Sequence, residues 1–237
     1  RAVGSREATP GGLGVRAPRA HDSLTAGETA ALRPGDIVLR RGSGIASEVI
    51  AGFFGEDWRV SHCAMVVVPG ADDIAGIPAG RVSYSSGASL AAASIRAGRP
   101  AVIHSVNERL SGVDGIQIED LEHFYLTCES DSIVVVRPLM SAVESSAALA
   151  ESTALLARGL PFDNDYSLES TDDAYCAELL YRAFAAANWE GQSAWLWKKG
   201  ILSFGGFLDP RYFRVIVSHN AAVKPAVESS VKHVEKP

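Results

Sequence analysis

Cysteine is scarce in this 237-residue chain, and its three residues, Cys63, Cys128 and Cys176, include no CxxC pair. That disfavours a thiolate zinc site. An odd count leaves at least one thiol free, and the ordinary fate of a free thiol is to be a small buried hydrophobe. Long apolar runs are also missing: none approaches the roughly 18–20 residues of a membrane span. There is no basic stripe, since Arg40-Arg41 and Lys198-Lys199 are isolated pairs in a chain of formal charge -6. General nucleic-acid binding needs clustered cations and is therefore not expected. No HxxxH or HxH spacing occurs, so a metal centre built from His62, His104 and a carboxylate ranks low, and no cofactor is expected.

What is present suits one sizeable domain with its own core: 47% hydrophobic and 21% charged residues, ordinary values for a globular chain. Residues 1–30 are rich in Gly, Ala, Arg and Pro and read as a flexible leader, and 219–237 read as a polar tail. The domain is expected over 31–218. The chain opens at Arg1, which is read as a processed or truncated product; its compartment is left open, export or direction to the cell envelope being one option.

The first half of the domain is strand-like. Arg33-Pro34-Gly35-Asp36 is a turn feeding a strand at Ile37–Arg40. A short amphipathic helix is expected over Ser47–Phe54. Val60–Val68 is apolar on both alternating faces, which predicts a central strand covered on both sides. Weaker strands are expected at Arg81–Ser85 and Ala101–Val106, and clearer ones at Ser132–Arg137 and Phe213–Val217. Helices are expected over Ser141–Arg158 and from Ala174 to about Asn188, with Asp172 or Asp173 capping the second. This order predicts an α+β domain on a largely antiparallel sheet.

Cys176 then falls in the first turn of a helix, where unpaired N–H groups and the helix dipole favour a thiolate. A buried structural cysteine is the plain alternative. His62 lies in a strand otherwise made of Val, Ala, Met and Cys, where an imidazole is costly unless paired, and it is the candidate base. Cys63 should point to the opposite strand face from His62. His104, one strand along, is the candidate orienting residue. His21, His123, His219 and His233 have no assigned role, and Glu119–His123 reads as a polar turn.

These residues carry a resemblance. Leu32-Arg33-Pro34-Gly35-Asp36-Ile37-Val38-Leu39 followed by Val60-Ser61-His62-Cys63-Ala64-Met65-Val66-Val67 resembles the signature of NlpC-type papain-like cell-wall hydrolases. The cysteine segment, Asp173-Ala174-Tyr175-Cys176-Ala177-Glu178-Leu179-Leu180-Tyr181, comes last rather than first. That order, with Leu160-Pro161-Phe162-Asp163 before it, looks like the circularly permuted YiiX/YaeF-like branch, whose layout the relatives of lecithin:retinol acyltransferase share. The resemblance covers about residues 31–186. It implies a permuted papain-like fold with Cys176 as nucleophile, His62 as general base and His104 in the third, polar position.

The implied chemistry is a covalent acyl-enzyme mechanism on an amide or ester. A peptide or cell-wall stem-peptide amide ranks first as substrate, and an acyl lipid second. Expected substrate contacts are Tyr175 beside the nucleophile, Asp163 for a cationic group, and Trp58 behind Phe53-Phe54. The segment from Trp189 to Phe207 holds three of the four tryptophans beside Lys198 and Lys199. It suits contact with a membrane surface, or a folded-back lid or core. A non-catalytic papain-like binding module is the remaining alternative.

Overall fold

The computed structural model describes residues 22–83, 95–195, 197–198 and 200–225. His21, His233, Lys199, residues 1–21 of the expected leader, 226–237 of the tail and the end of the strand expected at 81–85 lie outside them. Six antiparallel strands form the central sheet in the order β4-β3-β2-β1-β5-β8. These are β1 (Ile37–Arg40), β2 (His62–Val67), β3 (Ala101–Val106), β4 (Gly115–Asp120), β5 (Val134–Pro138) and β8 (Phe213–Ser218). A small hairpin, β6 (Trp197–Lys198) and β7 (Ile201–Leu202), stands apart. The fold is therefore α+β on an antiparallel sheet. Of the weak strand at Arg81–Ser85, the described part makes a single bridge, Val82 beside Ile118.

The helices are α1 (Ala26–Ala31), α2 (Ile45–Phe54), α3 (Ala71–Ala75), α4 (Glu108–Ser111), α5 (Leu121–Tyr125), α6 (Ala142–Arg158) and α7 (Cys176–Ala186). Two apolar clusters separate by strand parity. Cys63, Met65, Ile103 and Leu39 pack toward α6 and α7, with Leu155, Leu180 and Phe184 among their partners. Val38, Ala64, Val66 and Val102 pack on the other face, against Leu121, Phe124 and Tyr125 of α5. Both faces of β2 are covered, as its unbroken apolar run requires.

Two differences from the sequence reading concern residues near the expected leader and tail, and β4. Residues 26–31 form α1, and Asp22, Glu28 and His219 are held by hydrogen bonds. The Asp22 carboxylate accepts from the N–H groups of Ser132 and Ile133 at 2.9 and 3.0 Å. His219 sits between Asp22 and Glu28 at 2.6 and 3.0 Å, and Val223 is buried. Charged hydrogen bonds among these residues supply the order that composition did not advertise. The stretch read as a polar turn at Glu119–His123 is the end of β4 and most of α5. In Gly115–Asp120, Ile116 and Ile118 face one side while Gln117 and Glu119, both buried, face the other. Gly115, at φ 80°, brings that strand against the loop at Leu160, where any Cβ would meet the Leu160 carbonyl oxygen.

The Gly35-Asp36 pair has a structural task. Gly35 takes φ 90°, a conformation costly for other residues, and its N–H reaches the Val66 carbonyl at 2.9 Å. Asp36, almost wholly buried, accepts from Arg33 N–H at 2.8 Å and from Arg137 Nε and Nη2 at 2.7 and 2.8 Å. The two-pronged pair ties the turn before β1 to β5. Asp36→Ala is expected to destabilise the fold by about 3–5 kcal/mol, because it strands a partly buried guanidinium. Urea denaturation with an unchanged m-value checks this.

Candidate active site

The end of the sheet where β1 and β3 finish and β2 begins gathers the residues singled out by chemistry. His62 is the first residue of β2 and His104 the fourth of β3. The β2–β3 register, Met65 opposite Ile103, puts them diagonally on one sheet face. His62 Nε2 lies 2.9 Å from His104 Nδ1. The Phe124 ring stands beside both, with centroids 5.8 and 5.4 Å away, and the Arg40 guanidinium covers Phe124 at 4.1 Å. His62 is half-buried and His104 is buried. Burial, then the charges of His104 and Arg40, hold the His62 pKa well below its ordinary value. Burial, then Arg40, brings His104 to about 3. Both rings are therefore neutral at neutral pH.

Cys176 is the first residue of α7. Its N-cap is Tyr175, not Asp172 or Asp173, because the chain preceding the helix is extended and held elsewhere. Ser105 Oγ donates to the Ala174 carbonyl at 2.5 Å, and Ala174 N–H to the Pro161 carbonyl at 3.0 Å. The Glu178 carboxylate, third in the helix, turns back to the Tyr175 N–H at 3.3 Å and also holds Arg182 at 2.5 Å. All three thiols are free, and Cys176 alone is partly exposed. A hydrogen bond from the Cys63 thiol lowers the Cys176 pKa. The N–H groups of Cys63, Ala177 and Cys176 itself add to this, against an upward push from burial. Burial, reinforced by Cys176, keeps Cys63 protonated to well above its ordinary value. The expected helix-terminus assistance is joined by a contact the sequence did not suggest, from Cys63.

That contact sets the geometry. Cys63 points to the α7 face of the sheet, while His62, its neighbour, points to the α5 face. Among the described residues no hydrogen bond joins Cys176 to His62. Instead both border one cavity of about 720 Å³ that wraps the strand ends. Its floor includes His104, Ser105 and Tyr175, and its walls include Ile50, Phe54, Phe162, Tyr166 and Phe204. Asn107, Arg109 and Asn164 supply polar groups, and Asn107 Nδ2 bridges to Asn164 Oδ1 at 2.9 Å.

Of the expected substrate contacts, Tyr175 lines the cavity, its ring packed on Tyr166 at 5.3 Å. Asp163 does not face the cavity. It is buried, and its carboxylate accepts from the N–H groups of Asp165, Tyr166 and Ser167 at 2.7 to 2.9 Å. It organises the loop that presents Phe162, Asn164 and Tyr166. Trp58 is likewise interior: its Nε1 donates to Glu56 at 2.8 Å and its carbonyl accepts from Asn220. In the tryptophan-rich segment, Trp189 and Trp195 are core, packed on Phe184, Phe207 and Phe213. Only Trp197 is exposed.

Sequence reasoning missed Glu119, buried in β4 with Oε2 3.5 Å from His104 Nε2. Its signal was available in the alternation of Ile116 and Ile118 with Gln117 and Glu119 after Gly115.

No family profile matches the sequence, and no curated protein matches it. Among solved structures the chain is similar to the metalloprotein yiiX of Escherichia coli O157:H7. The identity is 19% and the TM-score 0.45, over 65% of this chain and 66% of that one. The chain thus spans just under two thirds of that protein's length, at a level of likeness from which no activity is transferred.

Proposed function

We propose that the protein is a cysteine-dependent acyl hydrolase or acyltransferase, with Cys176 as nucleophile and His62 as general base, acting on a substrate that carries an apolar acyl group. The observation behind this reading is the opening of one cavity onto both a thiol of lowered pKa at a helix N-terminus and a neutral histidine pair. The Cys176 proton passes to His62 as sulfur attacks the carbonyl carbon. The N–H groups that start α7 stabilise the oxyanion. The tetrahedral adduct collapses to a thioester as His62 returns the proton to the leaving group. Water or another acceptor then releases the acyl group. The thiol has to leave Cys63 to meet His62, so substrate entry is the step that pairs them; catalytic hydrogen bonds commonly tighten only in the loaded site.

The acyl preference rests on the cavity walls and rim. Ile45 and Leu110 line the cavity yet are 84% and 58% exposed. Val49, one turn beyond Ile45 on α2, is exposed as well. Such apolar groups at a cavity mouth suit a lipid or another acyl-bearing substrate. A peptide or cell-wall stem-peptide amide is the second reading, favoured by Asn107, Arg109 and Asn164.

Cys176→Ser is expected to abolish both acyl-enzyme formation and turnover, and His62→Ala to slow acylation by about 10²–10⁴-fold. Both are checked with p-nitrophenyl esters and intact-protein mass spectrometry, with melting curves unchanged. Full activity of Cys176→Ser would sink the mechanism, and ligand binding without any acyl-enzyme would make the domain a binding module.

Lengthening the ester from acetyl to octanoyl should raise kcat/KM by about fourfold per methylene, from roughly 0.8 kcal/mol of burial each. A flat series together with cleavage of stem peptides would favour the amide reading.

The acid limb of kcat/KM should lie below pH 6.5. A base whose folded pKa is lowered stays unprotonated, and competent, as the pH falls past its ordinary value. A limb at or above pH 6.5 would show instead that His62 titrates at or above its ordinary value and is not kept neutral by burial.

A further inference from the structure

The cavity beside Cys176 and His62 is cationic in an acidic protein. The chain carries a formal charge of -6, yet two arginines, Arg40 and Arg109, border the cavity and no aspartate or glutamate does. Arg40 is only 7% exposed, and its Nη1 donates to Thr127 Oγ1 at 2.6 Å. Its other described contacts are the Cys128 sulfur at 3.6 Å and the Phe124 ring. No carboxylate is among them, and its buried Nε has no described acceptor. A buried guanidinium without a counter-ion is costly, and an anion entering the cavity would supply the missing charge.

A second set of donors faces the same cavity. The ten-residue helix α2 starts from Gly44, which provides no side-chain cap. Among the described residues nothing accepts from the N–H groups of Ile45, Ala46 and Ser47, the unpaired donors of a helix start. All three residues border the cavity. The acidic residue of that turn, Glu48, is held by Arg59 at 2.6 Å and does not border it. Thr127 joins the two donor sets: its hydroxyl meets Arg40, and its carbonyl accepts from the Ser43 N–H at 2.7 Å. Arg40 also stands opposite His62 in the β1–β2 register, next to the base that returns its proton to the leaving group.

We propose that Arg40 and the N-terminus of α2 form an anion subsite for the leaving group, so that the substrate is an acyl conjugate whose leaving portion carries a carboxylate or a phosphate. An N-acyl amino acid is the carboxylate form. The inference rests on the thiol-hydrolase reading for its place in catalysis, but the binding itself does not. A guanidinium meets either anion through paired, charge-assisted hydrogen bonds. The helix start adds N–H donors and the positive end of its dipole. The acyl chain then lies along the apolar walls while the anion sits beside His62.

Calorimetric titration of the full-length Cys176→Ala protein, in which no acyl transfer competes, tests the subsite. N-octanoylglycine is compared with its uncharged amide, N-octanoylglycinamide, which shares the acyl chain and lacks the charge. The carboxylate is expected to bind at least about tenfold more tightly. N-octanoylphosphoethanolamine separates the two sources: tighter binding than the glycine conjugate assigns the subsite to phosphate, and weaker binding to carboxylate. Adding Arg40→Met, which keeps an apolar stem and removes the charge, should make the carboxylate and its amide bind alike. Equal affinity without that substitution, or a carboxylate preference retained in a folded Arg40→Met protein, would overturn the proposal. Should Arg40→Met fail to fold, the backbone N–H resonances of Ile45, Ala46 and Ser47 decide. They should shift with N-octanoylglycine and much less with its amide, and equal shifts would overturn the proposal. An active Cys176→Ser protein would remove the thiol reading while leaving the binding result standing, so the two failures are distinguishable.

Discussion

The register between β2 and β3, with Met65 opposite Ile103, is the constraint on which the candidate site depends. It sets His62 and His104 diagonally on one face, close enough for a direct nitrogen–nitrogen contact at 2.9 Å. Carried into β4, it adds Glu119 to the same face. A shift of one residue would turn His62 toward α7 and Cys63 toward α5, exchanging an imidazole for a thiol. Register here is held firmly because both faces of β2 are buried in separate apolar clusters.

The same alternation explains how Cys176 is held. Cys63 faces α7 because His62 does not, and from there its protonated thiol reaches Cys176 at the helix start. Two fixed supports place that start: Ser105 on β3 grips the Ala174 carbonyl, and Glu178 turns back onto Tyr175. Cys176, at the start of α7, and His62 on β2 thus lie on opposite sides of one strand, and both border the cavity at its end.

Much of the frame was legible in the residues. The apolar run after His62 could only be a doubly covered central strand, and Gly35-Asp36 announced the turn into β1. The cysteine helix was visible from the periodicity of Leu179, Leu180, Ala183 and Phe184, although its first residue and its cap were not. β4 was obscured because Gln117 and Glu119 look like solvent-facing residues until a neighbouring His104 gives one of them a reason to be buried. Trp58 and Asp163 looked available to a substrate because an aromatic and a carboxylate in loops usually are; one closes the core and the other caps backbone N–H groups. The tie between Asp22 and His219 was hidden for a related reason, since its two partners lie almost two hundred residues apart.

By itself the sequence determined the local conformations: which stretches alternate, which turn, and which thiol heads a helix. Those follow from steric and hydrogen-bonding preferences that act over a few residues. Only the tertiary structure decided which side chains meet. It paired His62 with His104, set Glu119 behind them, and gave Cys176 the Cys63 thiol as its resting partner. Strand order and register are chosen by burial summed over the whole sheet, and no short window of residues contains that sum.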